Sequence, residues 1–308
     1  MGGVLDGGCC IGNLLYTEPM KKLFPWLFLG YIAVCVYTLA RYQIFASVIS
    51  RMVLCWLAAL LVMTLLFFVG RRLKRIDVVD VGWGLSCIAI AVTGFFLQDG
   101  HELRWDAQAL TTLLVVLWGG RLSWHIARRI SLTDQEDKRY VELRKKWRGN
   151  ISVHTFLRVF LLQSFLALVV CIPVVHINLE QDPRWSPWIF AGLTVWLTGF
   201  VIEIIADKQL AGFTRKPENA GKLIRSGLWR YARYPNYFGE LIMWWGIALM
   251  SLGTPHGWVG VGGAAAITYL ILYVSGIPPK EKRLRRRVGW KTYGRETRLL
   301  VPLPKRKD

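Results

Sequence analysis

Seven polar or ionisable side chains interrupt otherwise apolar stretches of this sequence: Asp80, Arg121, His125, Gln163, Glu203, Asp207 and Glu240. A charge near the bilayer centre costs about 2.5–3.5 kcal/mol on insertion scales, so such groups normally face a bundle interior or a cavity and mark sites. Three pairs recur at a spacing of four: Arg121 with His125, Glu203 with Asp207, and Asn236 with Glu240. That step puts both members on one face of a helix. Asp80 is a candidate acid for polarising a carbonyl, with Arg121 and His125 as candidate donors. The same residues also read as a buried structural pair, Asp80 with Arg121.

The densest run is Gly227-Leu-Trp-Arg-Tyr-Ala-Arg-Tyr-Pro-Asn-Tyr-Phe-Gly-Glu240. Pro235 suits the first turn of a helix, and Arg233 comes just before it. A helix N-terminus offers free N–H groups and the positive end of a dipole, which suits an anion. A basic loop meeting that N-terminus is a candidate phosphate site. The alternative is an interfacial anchor, with Trp229, Tyr231, Tyr234 and Tyr237 as an aromatic belt. Composition alone leaves the two readings open.

The elements that must position these groups are membrane spans. The chain has 308 residues, 54% of them hydrophobic, and a net charge of +19. Its charges crowd into a few stretches, separated by apolar runs near the ~18–20 residues that cross a bilayer. Eight such segments run roughly over 24–40, 52–70, 78–97, 109–126, 155–177, 186–206, 237–253 and 257–276. In lipid only helices and closed barrels satisfy the backbone, and these runs are too long for barrel strands. The expected fold is an all-α polytopic membrane bundle, a seven-helix core with an extra N-terminal span at 24–40. Stretches 71–75, 127–154, 207–236 and 277–308 hold 31 of the 39 Lys and Arg residues. The positive-inside rule places these stretches and the C-terminus in the cytosol. The same rule accounts for the high charge without nucleic acid, and the basic faces suit anionic lipid head groups.

Residues 1–50 read as an N-terminal extension, 51–302 as one membrane domain and 303–308 as a basic tail. Cys35, Cys55, Cys87 and Cys171 lie in apolar segments, where cysteine behaves as a small hydrophobe. Cys9 and Cys10 are adjacent and form no C-x-x-C. The five histidines are scattered, so no metal site is expected. The Gly260-Val-Gly-Gly263 run lies inside a span with no strand before it, and reads as close helix packing rather than a dinucleotide loop.

The 227–240 run closely resembles the C-terminal signature of the steroid 5α-reductase superfamily, most of all its DUF1295 branch. Supporting stretches are Asp77–Gly84, Trp118–Arg129, Glu136–Trp147 and Glu203–Phe213, so that the resemblance covers roughly 75–302. It implies a seven-helix membrane fold with NADPH held at the cytosolic side. The implied reaction reduces a carbon–carbon double bond conjugated to a ketone in a lipid or sterol-like substrate. Asn236 and Glu240 match the family's Asn-x-x-Gly-Glu segment, which contacts the cofactor. Asp207 matches an Asp that also serves the cofactor, and Glu203 lies where relatives can have Asn. Arg215 and Lys216 fall near a phosphate-binding Arg, and Arg286 stands for the C-terminal basic cluster with Arg283, Arg285 and Arg287. Arg233 and Tyr237, within the motif itself, join the same cofactor set.

Two departures bear on function. Tyr234 stands where many relatives have His. Steroid reductases proper use a Glu and a Tyr of earlier helices to hold the ketone, and no such pair is evident in the sequence. The candidate acid is therefore Asp80, with Arg121 and His125. Two other readings compete: an S-adenosylmethionine-dependent membrane methyltransferase of the isoprenylcysteine or phospholipid type, which carries a similar Arg-x-Pro-x-Tyr-x-Gly stretch, and a non-enzymatic lipid-binding scaffold. If the source is eukaryotic, the expected location is the endoplasmic reticulum membrane; if bacterial, the inner membrane.

Overall fold

A computed structural model describes residues 45–97, 106–133, 135–180 and 185–304. The expected span at 24–40, Cys9, Cys10 and the last four residues lie outside these. Each of the seven spans expected from residue 51 onward is helical. Five helical stretches are long and apolar enough by themselves to cross a membrane: Val48–Leu73, Val79–Phe96, Ile151–Val170, Pro187–Thr214 and Gly257–Leu284. The other two are a less apolar helix at Ala107–Ser131 and a 17-residue helix at Pro235–Ser251. The protein is an all-α polytopic membrane protein. Among the described residues it has no strand, and an isolated bridge joins Ala232 and Arg298.

The described residues divide into two compact units, one within 45–190 and 247–263, the other within 191–246 and 264–304. The first contains α1 (Phe45–Leu73), α2 (Val79–Phe96), α3 (Ala107–Ser131), the short α4 (Lys138–Lys145), α5 (Ile151–Val170) and α6 (Ile172–Asn178). Local chemistry fixes several of the starts. The Asp106 carboxylate accepts from the N–H groups of Gln108 and Ala109 at 3.0 and 2.9 Å. Asp137 caps α4 through Arg139 N–H, and Asn150 caps α5 through Ser152 and Val153. Such caps satisfy donors that a helix leaves open. α5 passes through a π-helical turn at Phe156–Leu161. A buried cluster of Met63, Phe67, Ile76, Val78, Val79, Tyr140, Val159 and Phe160 joins α1, α2, α4 and α5.

The second unit holds most of α7 (Pro187–Thr214) and α8 (Pro235–Ser251), with α10 (Ile277–Leu284) and α11 (Trp290–Glu296). Between them in sequence, α9 (Val261–Tyr269) runs into a π-helical turn at Leu270–Val274. A loop at 215–234 packs back on α7. There Trp229 donates to the Ala206 carbonyl at 3.0 Å and Ile224 is buried beside it.

Glycines set how closely helices pack in each unit. A Cβ on Gly199 would lie 2.5 Å from the Gly239 carbonyl oxygen, and one on Gly239 would lie 2.6 Å from that of Gly199. In the first unit, a Cβ on Gly119 would lie 2.7 Å from the Gly84 carbonyl oxygen. Small residues permit such backbone approach, the usual means of helix association in lipid. The adjacent Gly120 has nothing within 4 Å of its Cβ position. The neighbouring substitutions should therefore have opposite signs. Gly119→Ala is expected to cost about 1–3 kcal/mol by overpacking against backbone, whereas Gly120→Ala should gain about 0.5–1 kcal/mol in helix propensity. Thermal unfolding of the two variants in detergent checks this, and equal shifts would refute the packing role.

Candidate functional site

The cofactor candidates all lie in the second unit. α7 carries Glu203, which is buried, and Asp207 one turn later, which is half-buried. α7 ends at Thr214, and Arg215 and Lys216 follow it as exposed cations. α8 begins at Pro235 and places Asn236 and Glu240 on one face in its first two turns. Gly239, between them, is where α8 meets α7: a Cβ there would lie 2.7 Å from the Glu203 amide nitrogen. The Asn-x-x-Gly-Glu spacing thus brings Asn236 and Glu240 in on a helix whose approach to Glu203 depends on having no side chain at 239.

Asn236 shares one feature with several other buried polar groups, Tyr234 Oη among them. Its Oδ1 is buried and accepts no hydrogen bond among the described residues. Most buried side-chain acceptors are satisfied, so an orphan calls for an explanation. A ligand donor such as a ribose hydroxyl or a carboxamide N–H fits it.

The aromatics around it are organised. Tyr234 is fully buried and stacks on Tyr237, with ring centroids 5.8 Å apart. Burial, with the Glu281 carboxylate beside it, raises the Tyr234 hydroxyl well above the ordinary tyrosine range. Lys280 Nζ sits 4.2 Å over the Tyr237 ring, a cation–π contact.

Arg233 is engaged inward. Its Nε donates to Glu281 Oε1 at 3.1 Å, and its Nη1 donates to the carbonyls of Gly294 and Thr297 at 2.8 and 2.9 Å. The guanidinium also lies over the Trp290 ring at 5.4 Å. The backbone continues the attachment: Arg233 N–H donates to the Arg298 carbonyl, and Arg298 N–H to that of Tyr231. Tyr293 Oη donates to the Trp229 carbonyl, and burial pushes its hydroxyl up to about 12. The segment 281–298 is thereby clasped onto the 229–233 loop. Further stitches tie the neighbouring basic stretches. Arg287 donates to the Lys222 carbonyl and Arg225 to that of Gly289, so the segment holding exposed Arg286 is fastened to the loop that follows Arg215 and Lys216. Burial and the neighbouring Arg283 lower the Arg287 guanidinium below its ordinary value.

The carbonyl-polarising candidates lie in the first unit. Asp80, at the start of α2, accepts from Tyr140 Oη at 2.5 Å and from Arg139 at 2.9 Å, with Arg129 at 3.9 Å. Its partners are thus Tyr140 and two arginines of the α3–α4 region, not Arg121, which the sequence had offered as a structural pair. Arg121 is half-buried on α3 and His125 is exposed one turn on. Around this cluster, Arg75 grips Asp77 through two bonds at 3.0 and 2.8 Å and donates to the carbonyls of Ile130, Thr133 and Gln135. Asp77 in turn accepts the Asp137 N–H, and Glu136 takes Arg144 and the Ile76 N–H. This network holds the 133–147 segment against the start of α2.

Sequence reasoning missed two residues. Tyr140 lies sixty positions from Asp80, on a short charged helix with no apolar period to announce it. Glu281 sits in a strongly basic stretch, followed at once by Lys282. Its attachment to Arg233 spans 48 positions, and no local pattern encodes it.

An all-α membrane protein with a polar, partly unsatisfied helix start beside a clasped basic segment defines the class. The chain belongs to the DUF1295 family, described as a protein of unknown function, which matches residues 66–297. Among curated proteins it is similar to the human 3-oxo-5-alpha-steroid 4-dehydrogenase 1, 40% identical over 96 residues, which is 31% of this chain and 32% of that protein. A steroid 5-alpha-reductase of Gossypium hirsutum is 38% identical over 76 residues, 24% of this chain and 28% of that protein. An uncharacterized protein of Schizosaccharomyces pombe is 23% identical over 194 residues, 56% of each chain. The chain thus spans about a third or less of the length of these steroid reductases. No solved structure matches it.

Proposed function

We propose that the protein is a membrane oxidoreductase that reduces a carbon–carbon double bond conjugated to a ketone in a lipid or sterol-like substrate, with NADPH as donor. The names of the relatives support the reaction class. The observation that carries the cofactor reading is the buried, unsatisfied Asn236 Oδ1 on the same helix face as Glu240. NADPH, when bound, supplies the hydride that adds to the β-carbon of the enone. Asn236 accepts a hydrogen bond from it, with Glu203, Asp207, Tyr237 and Glu240 as the other polar groups of the site. Arg215, Lys216 and Arg286 offer cations to its phosphates. Arg233, held by Glu281 and two carbonyls, positions the loop before α8. Asp80 is assigned to the carbonyl end of the reaction, and Tyr140 joins it as the proton-bearing member of that pair. Basic loops and the C-terminus face the cytosol in this reading, in the endoplasmic reticulum membrane of a eukaryote or the inner membrane of a bacterium.

The test is binding of NADPH, NADH and S-adenosylmethionine to detergent-purified protein, read as a rise in unfolding temperature, since a ligand of the folded state stabilises it. NADPH is expected to stabilise the protein most. Asn236→Ala and Glu240→Ala should each weaken NADPH binding about tenfold, the value of one hydrogen bond of ~1–1.5 kcal/mol, without unfolding it. Stabilisation by S-adenosylmethionine with none by NADPH would move the protein to the membrane methyltransferases.

A further inference from the structure

A cavity of about 120 Å³ opens between the end of α1 and the start of α5, lined among others by Phe67, Arg71, Lys74, Arg75, Arg144 and Thr155. Its four cations are not equivalent. Arg75 is spent on Asp77 and three carbonyls, and Arg144 on Glu136. Arg71 and Lys74 pair with no carboxylate among the described residues; the Arg71 guanidinium lies 5.9 Å from the centre of the Phe67 ring. Among the described residues, two positive charges at the cavity therefore have no carboxylate beside them.

Two further observations converge on the same place. Thr155 is only 7% exposed, lines the cavity, and its hydroxyl makes no hydrogen bond among the described residues. Lys74 adopts the left-handed conformation with φ +55°, where glycine is the usual residue because a Cβ is strained. The backbone there is tightly built, with Arg75 N–H donating to the Gly70 carbonyl at 2.9 Å and no room for a Cβ on Gly70. A lysine is thus kept where the turn itself favours glycine.

Arg71 also borders the apolar outer face of α1, where it lies beside Leu65, Phe68, Val69 and Arg72. Leu61, Leu65 and Phe68 are 61%, 58% and 54% exposed along that face. The same guanidinium therefore ends an apolar helix face and guards a cationic cavity. We propose that this is a binding site for a phosphate monoester, its charge on Arg71 and Lys74 and one oxygen on the Thr155 hydroxyl, filled from the bilayer by an anionic lipid whose acyl chains lie along α1. A phosphate monoester carries nearly two negative charges at neutral pH, matching the two cations that pair with no carboxylate among the described residues. The exposed apolar face of α1 accounts for the tails.

The experiment is native mass spectrometry of the detergent-purified full-length protein titrated with dioleoyl phosphatidic acid, dioleoyl phosphatidylcholine or inorganic phosphate. Phosphatidic acid is expected to bind above phosphatidylcholine. Arg71→Gln and Lys74→Gln should each reduce that binding about fivefold, the value of roughly 1 kcal/mol per basic residue near a membrane surface. Thr155→Val should reduce it as well, while Arg128→Gln, exposed on α3 and away from the cavity, should not. Both cations are on the surface, so the variants should keep the wild-type unfolding temperature, and that measurement separates lost binding from lost fold. Equally tight binding of inorganic phosphate, with the same sensitivity to both substitutions, would keep the site but make free phosphate its source. Phosphatidic acid binding unchanged in Arg71→Gln/Lys74→Gln, or reduced as much by Arg128→Gln, would overturn the proposal.

Discussion

Arg233→Met is expected to destabilise the protein by about 3–5 kcal/mol, because it strands the Glu281 carboxylate in a place built for a pair. The Arg233 and Glu281 side chains are only 13% and 6% exposed. The loss extends beyond the ion pair, since the same guanidinium holds the carbonyls of Gly294 and Thr297. Removing both charges is a different matter. Arg233→Met/Glu281→Leu should recover much of the loss, as buried pairs replaced by apolar residues of similar size often do. Denaturant unfolding in detergent and protease sensitivity of 285–298 check both variants. A single variant as stable as the wild type would show that Arg233 does not hold this segment.

The second large effect concerns Asp80 and Tyr140. In the proposed reductase, Tyr140→Phe should lower kcat/KM for an enone substrate about 100-fold, the scale of losing a donor aimed at developing charge, and Asp80→Asn, which removes the carboxylate that accepts from Tyr140, should lower it as well. Burial raises the Tyr140 hydroxyl well above its ordinary value, and the Asp80 carboxylate raises it further. The group therefore keeps its proton well into the alkaline range, and activity should show no loss attributable to Tyr140 up to about pH 10. Tyr140→Phe removes a hydroxyl and little volume, so its unfolding temperature should fall far less than its activity. Unchanged kcat/KM in both variants would return the cluster to a purely structural role, holding the α3–α4 region at the start of α2.

What was legible in the sequence follows from the range of each interaction. Spans are local, because twenty apolar residues declare themselves without reference to the rest of the chain, and the helices after residue 51 lie where hydropathy puts them. Spacing was legible for the same reason: Asn236 and Glu240 share a face because a helix has 3.6 residues per turn. Partners were not. Asp80 was weighed against Arg121, a charge on another span, whereas the structure gives it Tyr140 and Arg139 from a polar connection with no period to read. Arg233 looked like an anion ligand because it precedes a helix start, yet its partners come from 281, 294 and 297. The roles of Gly119 and Gly120 were equally hidden, since identical neighbours differ only in which one faces the Gly84 carbonyl.

The clasp of 281–298 onto 229–233 has a consequence for how the protein is made. Residues 281–298 are the last part of the clasp to be synthesised, after the 227–240 motif. Until that segment leaves the ribosome, the motif lacks Glu281, Trp290 and the carbonyls that hold Arg233. The clasp is therefore completed last. A frameshift or stop codon just past residue 276 would yield a chain that keeps the 227–240 motif and lacks every group that holds the Arg233 side chain. Quality control that counts spans would pass it, whereas one that senses an exposed, unpaired Arg233 would not.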